Sequence, residues 1–122
     1  MKHLLILGAF AMALAVILGA FGAHGLKARV SADALSAWQT GVQYHMIHAL
    51  ALLMVAVLMA QFPAMGGLHW IGGLFLAGIL LFSGSLYLLV LTDWRFLGPI
   101  TPIGGVAFIL GWLGLLWSAL RL

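Results

Sequence analysis

Four apolar stretches, each long enough to cross a bilayer, make up most of this chain: Leu4 to Ala23, about Met46 to Phe62, about Trp70 to Leu91, and about Pro102 to Leu120. Crossing the hydrocarbon core takes roughly 20 apolar residues as a helix. Lipid offers the backbone no hydrogen-bond partners, so only helices and closed barrels can span it. No alternating pattern marks barrel strands. The sequence therefore predicts an all-α fold, a four-transmembrane-helix antiparallel bundle forming a single integral membrane domain over residues 1–122. Composition agrees. The chain is 66% hydrophobic and 6% charged, whereas a soluble domain carries about a quarter charged residues.

The amino terminus has features of a secretion signal: Lys2, an apolar run, then small residues from Ala20 to Ala23. The run exceeds the roughly 7–15 residues of a signal core, so it is expected to stay as the first span. Pro63 and Gly66-Gly67 break the chain between spans two and three, Asp93 and Arg95 end span three, and Arg121 closes span four. Thr101 followed by Pro102 reads as a hydroxyl N-cap with proline at the first helical position. The one substantial polar connection runs from His24 to Tyr44. There Ser31 can cap a helix with Asp33 in its first turn. Only Gly41 interrupts the segment from Ala32 to Phe62. The expectation is either one long helix or an amphipathic, interfacial helix over about 32–45 that bends near Gly41 into span two.

Helices in lipid gain little from hydrophobicity and associate by close backbone approach at small residues. Such residues recur as Ala11, Ala15, Gly19 and Ala23 in span one, as Gly104, Ala107, Gly111, Gly114 and Ser118 in span four, and more weakly as Gly73 and Ala77 in span three. These stripes are expected to pack the bundle internally. They also allow a homo-oligomer or a membrane-protein partner, with membrane lipid as the surroundings. Nucleic acid is excluded as a partner, because Lys2, Lys27, Arg29, Arg95 and Arg121 are scattered rather than clustered. There is no cysteine, which removes disulfides and thiol chemistry. Counting positive charges leaves orientation open: Lys2 and Arg121 lie at the end with the termini, and Lys27, Arg29 and Arg95 at the other.

Ionisable residues at membrane depth are costly and mark candidate sites. His24, His45, His48 and Asp93 are the candidates, with Gln39, Gln43, Tyr44, Ser83, Ser85, Tyr87 and Thr101 as polar company. Helical spacing puts Gly41, Tyr44, His45 and His48 on one stripe, with Gln39 and Gln43 on another side. The favoured reading is a structural hydrogen-bond network between helices. The alternatives are metal or haem binding by His24, His45 and His48, with imidazole suited to such ions, and a path for a proton or small polar solute in an oligomer. No cofactor or metal site is expected. No nucleophile–base–acid set is visible, Asp93 beside Arg95 being a loop ion pair or a cap, so the chain is expected not to be an enzyme. Trp38, Trp70, Trp94 and Trp117 fall near predicted span ends, as an aromatic belt would.

Four motifs occur in order: Gly19-Ala20-Phe21-Gly22-Ala23-His24; Trp38-Gln39-Thr40-Gly41 with Tyr44 and His48-Ala49-Leu50; Phe82-Ser83-Gly84-Ser85-Leu86-Tyr87; and Thr101-Pro102-Ile103-Gly104-Gly105 with Gly111-Trp112. With them the chain resembles, over essentially its whole length, the small membrane proteins grouped as domain of unknown function 423, which are similar to a human small transmembrane protein family. The resemblance implies a four-span protein of the bacterial inner (plasma) membrane and brings no activity with it. Its recurrent polar positions correspond to His24, Gln39, Tyr44, His48, Ser83, Ser85, Tyr87 and Thr101. At His45 relatives often carry Gln. Their basic carboxyl tails imply cytoplasmic termini, although the tail here stops at Arg121-Leu122. The alternative site, for metal, haem or a small solute, centres on His24 and His48.

Overall fold

A computed structural model describes residues 1–122. It is all-helical: α1 (Lys2–Phe21), α2 (Ala32–Gln61), α3 (Leu68–Gly78), α4 (Gly84–Thr92) and α5 (Ile100–Leu120). A π-helical turn, Gly22–Leu26, extends α1. A second one, Ile79–Ser83, joins α3 to α4 in a single continuous span. A short 3-10 turn, Arg95–Leu97, precedes α5. Four helices long and apolar enough to cross a membrane result: Lys2–Leu26, Ala32–Gln61, Leu68–Thr92 and Arg95–Leu120. At 1.5 Å per residue, the shorter ones reach about 37 Å, more than the roughly 30 Å hydrocarbon layer.

Local chemistry accounts for the helix ends. Ser31 is extended and its hydroxyl accepts from the Ala34 N–H at 3.1 Å, with Asp33 in the first turn of α2. Gly41 does not interrupt this helix, which runs continuously to Gln61. Asp93 ends α4 in the left-handed conformation (φ 57°), and so acts as a cap. Gly67 (φ 76°) opens α3. The expected Thr101 cap is corrected: α5 begins at Ile100 with Pro99 before it, and Thr101 lies already inside the helix.

The second span is central. It packs along α1 on one side and along the third span on the other, and the third span packs along α5. Ala11 and Ala15 of α1 are buried, as their spacing predicts. The inward stripe of Leu4, Gly8, Ala11 and Ala15 continues at helical spacing to Gly22 and Leu26, while Ala23, twelve residues after Ala11, drifts off it and stays exposed. In α5, Gly104, Ala107, Gly111 and Ser118 face inward. In α3 the inward residues are Gly72, Phe75 and Gly78, not Gly73 and Ala77. Nothing lies within 4 Å of where a Gly73 side chain would begin.

Small residues and rings interlock. A methyl on Gly78 would overlap Phe108, one on Gly111 would overlap Phe75, and one on Gly104 would meet the backbone of Leu81 and Phe82. The core gathers Leu52, Val55, Ala56, Ile71, Phe75 and Phe108. Outward faces carry large apolar side chains such as Phe10, Ile17, Leu80, Ile109 and Leu113, as a lipid-facing surface should.

Candidate functional site

Hydrogen bonds link the helices from the level of the first and third loops down to mid-bundle. At the top, the Trp38 indole N–H donates to the Leu18 carbonyl at 2.9 Å. Trp38 is 1% exposed and packs against Tyr87, with ring centroids 4.7 Å apart. It is therefore a buried anchor between spans one, two and three and no part of an interfacial belt. Trp70, Trp94 and Trp117 do lie exposed.

One level down, the Ser83 hydroxyl donates to the Gly41 carbonyl at 2.7 Å, fully buried. The π turn that contains Ser83 lies against α2 and α5. Ser85 and Thr101 share a hydrogen bond at 2.5 Å, and Ser85 also donates to the Phe82 carbonyl at 2.9 Å. Thr101 thus ties α4 to α5 instead of capping a helix. His45 Nδ1 lies 2.9 Å from the Tyr87 hydroxyl.

The deepest group is His48. The Trp112 indole N–H donates to His48 Nε2 at 2.9 Å. An indole only donates, so Nε2 must carry the lone pair. The proton then sits on Nδ1, which donates to the Tyr44 carbonyl at 2.7 Å. The ring lies flat on Phe108, centroids 3.6 Å apart and planes 11° apart. Both nitrogens and one face of His48 are thereby occupied by protein. No buried side-chain nitrogen or oxygen in the protein lacks a partner.

The predicted residues separate into two sets. His48, Ser83, Ser85, Tyr87 and Thr101 enter the network through their side chains. Tyr44 enters through its carbonyl, while its ring packs on Phe82 at 4.7 Å. His24 and Gln39 do not join. His24 is exposed in the π turn after α1, beside the level of Trp38. His48 lies ten residues further along α2, or about 15 Å. The pairing of His24 with His48 is therefore corrected. No group of three or more His, Cys, Asp or Glu side chains is placed to hold a metal ion. Gln39 and Gln43 are exposed on the side of α2 away from His48.

Two participants carry no local signal of their role. Trp112 is 64 residues from His48, so no local spacing connects them. Trp38 resembles a belt residue because it lies near a span end. His45, a sequence candidate where relatives often carry Gln, also takes part, 2% exposed and bonded. Its place on the Tyr44 and His48 stripe was the available signal.

A four-helix, multi-pass membrane bundle with an internal polar network is the class of protein that fold and site define. Residues 18–105 match the family described as "Protein of unknown function (DUF423)". The chain is 51% identical over 121 residues to the UPF0382 membrane protein YwdK of Bacillus subtilis (strain 168), covering 99% of this chain and 98% of that one. It is 50% identical over 121 residues to the UPF0382 membrane protein SAB0533 of Staphylococcus aureus (strain bovine RF122 / ET3-1), with the same coverage. It is 46% identical over 122 residues to the UPF0382 membrane protein SSP2132 of Staphylococcus saprophyticus, covering all of both chains. The chain belongs to the DUF423 family of bacterial membrane proteins. No solved structure matches it.

Proposed function

We propose that this protein is a non-enzymatic structural or accessory element of the membrane, whose polar residues set the register of its own helices. The observation that carries this reading is the state of His48, with Nε2 filled by Trp112, Nδ1 by Tyr44 and one face by Phe108. A histidine so enclosed, only 3% exposed, has no lone pair left for a metal and little surface for a solute. The remaining polar groups at depth are likewise spent on neighbouring helices. Cytoplasmic termini belong to the same proposal.

Thermal unfolding in lipid nanodiscs tests it. Zn²⁺, Cu²⁺ or haem added at stoichiometric amounts is expected to leave the midpoints of the wild type and of His48→Phe unmoved. A rise of the wild-type midpoint that His48→Phe abolishes would overturn the structural reading in favour of ligand binding.

A further inference from the structure

Near the termini span one meets the third span closely, with the Leu4 side chain against Gly72. Beyond that point the two helices part. A crevice of about 350 Å³ opens between them, walled by Leu7, Phe10, Leu14 and Leu18 on one side and by Leu76 and Leu80 on the other. Gly84, which carries no side chain, adds to its space, and the second span closes it from behind with His45. His45 Nδ1 and the Tyr87 hydroxyl face each other, 2.9 Å apart, so most of what these two residues present to the crevice is carbon.

We propose that this crevice seats one acyl chain of an anionic phospholipid. Three features identify the occupant. Leu7 to Leu18 spans about 16 Å along the helix, comparable in length to one extended acyl chain, which reaches about half the hydrocarbon thickness. Apart from Ala11 and Gly84 the walls are large side chains, whereas a second helix would need a run of small residues to approach closely. Both walls lead to basic residues at the same end of the bundle, span one to Lys27 and Arg29 and the third span to Arg95. A lipid phosphate at that surface would meet three cations against two carboxylates, Asp33 and Asp93. Basic residues at a membrane surface favour anionic lipid by about 1 kcal/mol each, or roughly fivefold.

The test is native mass spectrometry of the full chain released from nanodiscs containing equal phosphatidylglycerol and phosphatidylcholine. Wild type is expected to keep one phosphatidylglycerol per chain. Gly84→Leu fills the crevice, and only its own Ile79 carbonyl lies within 4 Å of the new side chain's base, at 3.9 Å. That variant is expected to lose the lipid. Leu80→Trp, which narrows the crevice from an exposed wall position, should lose it as well and serves if Gly84→Leu does not fold. Gly73→Leu, on an open face of the same span, should keep it. Removing charge with Lys27→Gln and Arg29→Gln should lower the preference over phosphatidylcholine about fivefold for each. Equal lipid retention by wild type and the filled variants would overturn the seat. Equal retention of the two lipids by wild type would overturn the anionic assignment.

Discussion

The two halves of this bundle are joined differently. Toward the termini, closure is almost entirely steric: Leu53 beside Gly8, Leu4 beside Gly72, Phe75 beside Gly111 and Ile71 beside Gly114. A single polar tie, the Ser118 hydroxyl to the Gly66 carbonyl at 2.8 Å, accompanies these contacts. Toward the first and third loops the same interlocking continues, with Trp38 on Gly22 and Tyr87 on Gly41. There it is joined by the hydrogen bonds of Trp38, His45, Ser83, Ser85 and Thr101, with His48 and Trp112 at the lower limit. Toward the termini, packing thus supplies all but one of the joints between helices. Hydrogen bonds are added in the half where the crevice lies between spans one and three. In that half they fix register, a task that sliding apolar surfaces perform poorly.

Variants that remove one kind of joint and spare the other should sharpen this contrast. The largest effect is expected from Gly104→Ala. Its methyl meets the backbone of Leu81 and Phe82, which cannot rotate away. Overpacking of this kind costs about 3 kcal/mol or more, read as loss of a monodisperse folded species. The same change at Gly73, where no neighbour lies within 4 Å, should leave stability unchanged within error. Next comes Trp112→Phe, which leaves His48 Nε2 without its donor. Interhelical hydrogen bonds in membranes average about 0.6 kcal/mol and reach about 1.7. A buried ring nitrogen belongs at the upper end, so the expected loss is about 1.5 kcal/mol. Combining it with His48→Phe should recover part of that loss, and strictly additive losses would sever the pair. The smallest effects are expected from Ser83→Ala and Ser118→Ala, each about 0.6 kcal/mol. If Ser118→Ala proved as costly as Trp112→Phe, the contrast between the halves would disappear.

Much of the fold could be read from residue order, because apolar length is decisive in a bilayer. Four uncharged stretches admit only helices, and Ser31 with Asp33 marks the start of α2 by local chemistry alone. The inward stripe of α5 followed from small residues at helical spacing. The π turns were not legible. Widening a helix by one residue depends on what the neighbouring helix offers, here Trp38 beside Gly22 and the Gly41 carbonyl beside Ser83. Gly22 and not Ala23 faces inward for a simpler reason: repeated steps of four drift around the helix, whereas a step of eleven from Ala11 returns to the same face. Thr101 was misread because the start of α5 was taken from its Thr-Pro pair, while the helix already begins at Ile100. For the candidate site, helical spacing placed His48 on an inward stripe, but its partner Trp112 lies across a tertiary contact that no local pattern encodes. His24 was grouped with His48 by residue type, and geometry separates them.

The central claim is that the deepest polar group of the bundle is consumed by the protein itself. Nitrogen-15 NMR of histidine-labelled protein in lipid nanodiscs at pH 7, with the His48 signals assigned by their loss in His48→Phe, tests it most directly. A single neutral tautomer is predicted, with the proton on Nδ1 and the lone pair on Nε2, unchanged by added Zn²⁺ or haem. A proton found on Nε2, or His48 signals that move when either is added, would contradict the account.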